Sequence, residues 1–316
     1  MSLTTHAQVR GGRISDGGEV TRTVITTRVP GDTEADRACS LLLTPLAAQA
    51  RQWQSHCWHF SRRPQRQGVV LETQFAGTRD SGRRLTSFLA ALLEQTDAEL
   101  GRPETAVKTY QGTPGTVAVE SSGDEAALLF RLGGPDGLAL AEEVFELSSD
   151  LSLWAVGRFT TPATRRALLA LLMFDAAEAM MRGPRSTAWP DRRRVSWDFF
   201  WDTHLDAALR RVAPTSGHAS RIFHRNIASQ LNQDHAVMLA AASERSVYNW
   251  RRRWQRAIDR YLYRADKSGV SRCAQHLTLH QIHETAGRMG LGPHAEAAAG
   301  IQARHWAVER ERTLQL

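Results

Sequence analysis

The chain has 316 residues, 42% hydrophobic and 23% charged, the composition of an ordinary globular protein of one large or two smaller domains. Forty Lys and Arg against 33 Asp and Glu give a net charge of +7, carried almost entirely by Arg. No apolar run reaches the roughly 18 residues of a membrane span; three scattered cysteines (Cys39, Cys57, Cys273) form neither a disulfide framework nor a metal motif, and the start MSLTTHAQVRGGR lacks a secretory apolar core, so a cytoplasmic setting is expected.

Residues 1–35 are rich in Gly, Thr, Arg and Asp and are expected to form a flexible arm ahead of one domain over 36–316. A helix is predicted over 34–51, with Leu42, Leu43, Leu46 and Ala47 on one side. Two strands follow, 55–62 and 69–75, punctuated by Pro64 and Gly68. Alternation puts Val69, Leu71, Thr73 and Phe75 on one face of the second strand and Val70, Glu72 and Gln74 on the other. An amphipathic helix is predicted over 84–100, with short strands at 107–111, 116–120 and 126–131, the last ending at Gly133-Gly134-Pro135. Thereafter the pattern is helical: 138–156, a helix begun by Thr161-Pro162 and running to about 181, then 197–212, 220–232, 246–265, 273–289 and 293–311. The fold class is α+β, a small, largely antiparallel sheet followed by a mainly helical half.

Four groups of residues carry possible chemistry. Glu72 and Gln74 stand two apart on one strand face, where they could position a peptide; the spacing alone favours a solvent-facing strand. Arg131 precedes a Gly-Gly-Pro turn and could point into a cleft. His276, His280, His283 and Gly287 share one helical face beside the stripe of Leu279, Ile282, Ala286 and Met289, at the edge of a buried surface where an acid/base would sit. HExxH is absent, which disfavours zinc. The 246–265 helix has a core stripe containing Trp250 and an Arg-rich opposite face that includes Arg253; that face is either solvated or binds an acidic peptide or phosphate. No nucleic-acid motif is present.

Taken in order, Cys57-Trp58-His59-Phe60, Leu71-Glu72-Thr73-Gln74-Phe75, Arg131-Leu132-Gly133-Gly134-Pro135 with Ser148-Ser149-Asp150, and His283 followed after four residues by Arg288 resemble the thiopeptide-type bacteriocin biosynthesis proteins. That family includes the glutamate-elimination domain of lanthipeptide dehydratases. The resemblance implies that two Arg of the LRLRF-type strand should hold a glutamyl ester, with a Glu three residues before the turn's Arg. Here those positions are Glu72, Gln74 and Leu128, and only Arg131 and His283 remain. Two lost guanidiniums remove charge-assisted hydrogen bonds worth about 1.5–3 kcal/mol each. The family's other role is pyridine synthesis, in which two dehydroalanines of a modified precursor join in a formal [4+2] aza-cycloaddition, with loss of water and leader peptide. On that implication the catalytic set is His283, His280, Gln74, Arg131 and Glu72. Trp58, Arg158, Arg288, Trp250 and Arg253 contact the core or leader of the precursor. No metal, organic cofactor, nucleic acid or membrane is implied. Alternatives are a split elimination domain and a non-catalytic leader-binding protein, and the oligomeric state stays open, a homodimer included.

Overall fold

The computed structural model describes residues 20–53, 55, 57–111, 123–188, 195–211 and 217–306. Four strands, β1 (Thr21–Val29), β2 (Cys57–Gln65), β3 (Gly68–Gly77) and β4 (Glu104–Gln111), form one antiparallel sheet in the order β2-β3-β1-β4. The β2–β3 hairpin closes at Gln65 and Gly68, and Gly68 takes the positive φ of 105° that the tight turn demands. Part of the expected N-terminal arm is therefore a central strand. Thr21, Thr23, Ile25, Thr27 and Val29 alternate as its buried face. Its inward positions are mostly Thr, whose β-branched side chain fits a pleated surface but gives little apolar contrast.

The sheet has two unlike faces. Cross-strand pairs lie on the same side, so Trp58 with Phe75, Phe60 with Thr73 and Arg62 with Leu71 share one face. That face is covered by α1 (Asp32–Ala38), a π-helical turn (Cys39–Leu43), α2 (Thr44–Gln52) and α3 (Arg79–Gln95), with the short α4 (Asp97–Leu100) beside them. Leu42, Leu46, Leu85 and Leu89 bury against Ile25, Trp58, Phe60 and Leu71 there. The opposite face carries His59 with Gln74 and Ser61 with Glu72, and it faces the helical half.

The helical half comprises α5 (Gly123–Leu132), α6 (Pro135–Arg158), α7 (Pro162–Arg182), α8 (Trp197–Arg210), α9 (Gly217–Ala228), α10 (Leu231–Ala242), α11 (Arg245–Lys267), α12 (Ala274–Arg288) and α13 (Pro293–Arg304). Thr161 caps α7 by accepting from the Thr164 amide, with Pro162 in the first turn. Helix α7 is buried on almost every side from Ala167 to Ala177, and so shows no single apolar stripe. Arg251 of α11 grips the buried Asp175 of α7 through two hydrogen bonds of 2.7 and 2.8 Å, and the Trp254 indole donates to Leu172 O at 2.9 Å.

Two expectations need correction. Residues 126–131 are not a strand but the last turns of α5. The run AALLFRL fits either period; packing of Leu128, Leu129 and Leu132 on the helical core decides for helix. Gly133 (φ 82°) and Gly134 (φ 102°) then end the helix, with Gly134 N donating to Leu129 O. Helix α10, which buries Met238 and Ala241, occupies a stretch beyond 232 for which no element is expected from the sequence. The strand expected at 116–120 lies outside the described residues.

Among the contacts that join the two halves is the backbone of Phe60. Edge strand β2 would leave Phe60 with unpaired polar groups. Instead its amide donates to Ser149 Oγ of α6 at 3.1 Å, and its carbonyl accepts from Arg288 Nε of α12 at 2.5 Å. Arg288 Nη1 also donates to Ser148 Oγ, at 3.1 Å.

Candidate active site

Where the polar sheet face meets α12, a cavity of about 400 Å³ opens. Its sheet wall carries His59, Ser61 and Arg63 from β2 and Glu72 and Gln74 from β3; Glu284, His283 and Arg288 of α12 stand opposite; Leu128 and Arg131 of α5 supply a third side. Thus Glu72, Gln74, Arg131 and His283, four of the five residues expected to be catalytic, line one cavity although more than 200 positions separate the first from the last.

His283 owes its place to helical spacing and its orientation to a neighbouring helix. Its Nδ1 lies 3.2 Å from Glu296 Oε2 of α13, leaving Nε2 on the other side of a ring that is about one-third exposed. Glu296 is itself buried and also meets Arg211 at 3.0 Å and His204 at 3.5 Å. Burial raises its carboxyl, but hydrogen bonds and charge from His204 and His283 outweigh that and hold it well below the usual carboxylate range. An ionised carboxylate behind an imidazole fixes ring and tautomer, and it stabilises the imidazolium when the far nitrogen takes a proton.

The opposite wall is an ordered chain of polar groups. Arg22 of β1 donates to Gln74 Oε1 at 2.9 Å and to Glu142 at 2.6 Å, and Gln74 Nε2 donates to Glu72 Oε1 at 3.1 Å. Each end of the Gln74 amide is fixed, yet it retains one N–H and one lone pair for a substrate. Glu142 neutralises Arg22, so beside it the wall presents the Gln74 amide and the Glu72 carboxylate.

Three further groups escaped the sequence reading, two lining the cavity and one behind it. His59 is buried 5.4 Å from the Phe145 ring, and its pKa is pushed well below the usual value by burial and then by Arg288 and Arg22, so it is a neutral imidazole. Its signal was available: it alternates with Ser61 and pairs with Gln74. Glu284 follows His283; burial raises its carboxyl, but Arg288 and the neighbouring histidines more than compensate. Glu296 carried no sequence signal, because only tertiary packing brings α13 behind His283.

Other expected site residues lie elsewhere. His280 is buried behind Phe145 with a pKa pushed down to about 4, chiefly by burial, and does not line the cavity. His276 meets the Arg131 carbonyl at 3.0 Å. Trp58 is on the wrong face: adjacent to His59 in the strand, it points the opposite way and is 1% exposed between Phe60 and Phe75. It is core and cannot stack on a substrate. Arg288 does reach the cavity but is 2% exposed, with its donors turned to Phe60, Ser148 and Glu284; burial pushes its guanidinium down to about 10. Arg158 pairs with Glu244 at 3.2 Å outside the cavity. Trp250 and Arg253 stack on one another on α11, also outside it. Among the described residues no group of three or more His, Cys, Asp or Glu could hold a metal ion, and no helix is long and apolar enough to cross a membrane.

No curated protein matches this sequence. Solved structures of other proteins share the fold, three of them as follows. The crystal structure of the tRNA-dependent lantibiotic dehydratase MibB from Microbispora sp. 107891 is 16% identical with a TM-score of 0.52; the match covers 98% of this chain but only 29% of the dehydratase. TsrL is 14% identical with a TM-score of 0.61, covering 93% of this chain and 96% of that one. TbtD, the pyridine synthase from thiomuracin biosynthesis, is 15% identical with a TM-score of 0.55, covering 90% and 96%. The family model described as lantibiotic biosynthesis dehydratase C-term matches residues 29–306, nearly the whole described structure, and the chain belongs to that family.

Proposed function

We propose that this chain is a pyridine synthase that closes a macrocycle on a modified precursor peptide by joining two dehydroalanines. One observation carries the reading: an imidazole backed by an ionised carboxylate (His283 with Glu296) faces an amide–carboxylate pair (Gln74 with Glu72) across a single cavity. The chain also covers its match to a pyridine synthase over nearly the full length of both.

The chemistry asks for positioning first, since holding two reactants in line converts a bimolecular step to a unimolecular one. One dehydroalanine contributes its C=C; the other, with the adjoining amide in imidic form, contributes the four-atom azadiene. Two C–C bonds form, from the methylene carbon and the imidic carbon of the azadiene to the two carbons of the other alkene, and the former amide oxygen remains on the new ring as a hydroxyl. Gln74 and Arg131 donate to that amide oxygen and favour the imidic tautomer. His283 gives a proton to the hydroxyl, which leaves as water. A ring C–H proton goes to Glu72 or His283 with the loss of water; a second is lost as the C–N bond to the leader breaks, a proton reaching the leaving nitrogen so that the leader departs as a carboxamide and the ring becomes aromatic. His280, with no access to the cavity, has no part in this scheme.

A second reading has its own support. Arg63 and Arg131 line the cavity and could hold a glutamyl carboxylate, as a glutamate-elimination domain must. Mass spectrometry of the dehydrated, azole-bearing precursor incubated with the protein decides. Leader loss with the macrocycle mass is expected, and His283→Ala should abolish it. Loss of glutamate with the leader retained would replace ring formation by elimination, and binding without any mass change would leave only a leader-binding protein.

A further inference from the structure

The two oxygens of the buried Glu296 carboxylate keep different company. Oε2 faces His283 Nδ1 at 3.2 Å and accepts from Arg211 Nη1 at 3.0 Å. Among the described residues Oε1 meets only Nε2 of His204, on α8, at 3.5 Å, the long edge of a hydrogen bond. His204 is 3% exposed and does not line the cavity. Its other ring nitrogen, Nδ1, has no partner among the described residues.

Two features of the packing make this imidazole unusual. A buried ring nitrogen left unsatisfied costs stability, and folded proteins keep few such groups. Helix α13 also gives up a side chain to seat the ring: a Cβ on Gly300 would lie 2.4 Å from His204 Nδ1 and 2.5 Å from its Cε1. Glycine inside a helix costs backbone entropy. Trp201 stands edge-on to the ring, with centroids 6.0 Å apart. An apolar side chain of similar size would fill this nook without stranding a polar atom. What it would lack is a donor facing Glu296 Oε1.

We infer that His204 is a positioning residue for the reaction, holding Glu296 Oε1 so that Oε2 keeps one fixed line to His283 Nδ1. With only Oε2 held, the carboxylate can turn about its Cγ–Cδ bond and offer either oxygen to either partner. Arg211 does not prevent this, because it is about one-third exposed on the cavity wall and can follow the turn. A donor on the second oxygen, fixed in the buried body of α8, removes that freedom. The Nε2–H tautomer of His204 supplies it. A long contact suits the free protein, since catalytic hydrogen bonds are often loose there and tighten in the complex. The orienting group of a nucleophile–base pair is thus itself oriented, one helix further from the cavity. The catalytic consequence rests on the reading of His283 as the group that moves protons; the hold on Glu296 does not.

The test compares His204→Gln with His204→Asn in the full chain, each checked for folding by circular dichroism. The Gln amide nitrogen falls where Nε2 stood, whereas Asn is one methylene shorter and cannot reach Oε1. The Nδ1–H proton of His283, identified by its loss in His283→Ala, is followed by NMR in protein labelled with ¹⁵N-histidine. His204→Asn should speed its exchange with water at least tenfold, and His204→Gln should stay within threefold of wild type. In leader release, His204→Asn should lower kcat at least tenfold with KM within twofold, the pattern of an interaction realised in the transition state, and His204→Gln should restore most of kcat. In the wild type, His204 itself should carry its proton on Nε2, a measurement that needs no variant. An Nδ1–H tautomer at His204, unchanged exchange in His204→Asn, or equal losses in the two variants would each overturn the assignment. If the wild type releases no leader, the reading of the reaction fails, while the exchange and tautomer measurements still decide whether His204 holds Glu296.

Discussion

Replacing Arg288 with Met tests the joint between sheet and helices. Its guanidinium is almost fully buried and holds Phe60 O at 2.5 Å, Ser148 Oγ at 3.1 Å, Glu284 at 3.7 Å and the Phe145 ring at 4.8 Å. Hydrogen bonds from a charged donor contribute about 1.5–3 kcal/mol each, and a desolvated cation–π contact about 2 kcal/mol. Against these stands the cost of burying the guanidinium, several kcal/mol, which Met would relieve. The deciding factor is what remains: an edge carbonyl without a donor and Glu284 without its counter-charge. Removing one partner of a buried pair costs about 3–5 kcal/mol. At about 2–4 °C per kcal/mol, the thermal midpoint should fall by roughly 6–20 °C. The double variant Arg288→Met with Glu284→Leu removes the stranded charge and should recover at least half of the loss in a double-mutant cycle. Midpoints from urea and thermal unfolding measure both. A single-variant loss below about 1 kcal/mol, or a double variant no better than the single, would refute the view that Arg288 joins the halves through a compensated charge.

Glu296→Gln keeps the shape behind His283 but removes the charge; turnover should fall at least tenfold with KM nearly unchanged, measured as the rate of leader release, and an equal loss in Glu296→Ala would show that charge, not packing, is what matters. His280 is held neutral with its pKa pushed down to about 4 by burial. The unfolded state therefore takes its proton first, and stability present above about pH 6.5 declines as pH falls towards 4, by about 3 kcal/mol at most. Glu146, pushed up to about 7 by burial and Asp150, acts with the opposite sign, so the effect is read as the difference in denaturation slope between wild type and His280→Gln; identical slopes would count against it. Gly300→Ala should cost about 1–3 kcal/mol in urea unfolding, because the new Cβ would lie 2.4 Å from His204 Nδ1 and 3.3 Å from Met173 Cε; an unchanged midpoint would mean that α13 can shift freely.

Local pattern was enough for some of this protein. Alternation in VVLETQF and the turn at Gly68 defined the hairpin, though Pro64 falls within β2 rather than in the turn, and the alternation fixed that Glu72 and Gln74 share a face. Thr161-Pro162 marked the start of α7, and helical spacing put His283 at a buried edge. These features depend on neighbours within a few residues, which is the range over which sequence periodicity carries information. The remainder required contacts across hundreds of positions. Alternation separates His59 from Trp58 but does not say which side becomes cavity and which becomes core; the helices α1–α3 decided that by covering Trp58. A shared helical row does not separate His280 from His283; Phe145 buried the first and Glu296 oriented the second. The strand Thr21–Val29, built of Thr and Arg rather than large apolar residues, became legible only once β3 and β4 paired on either side of it.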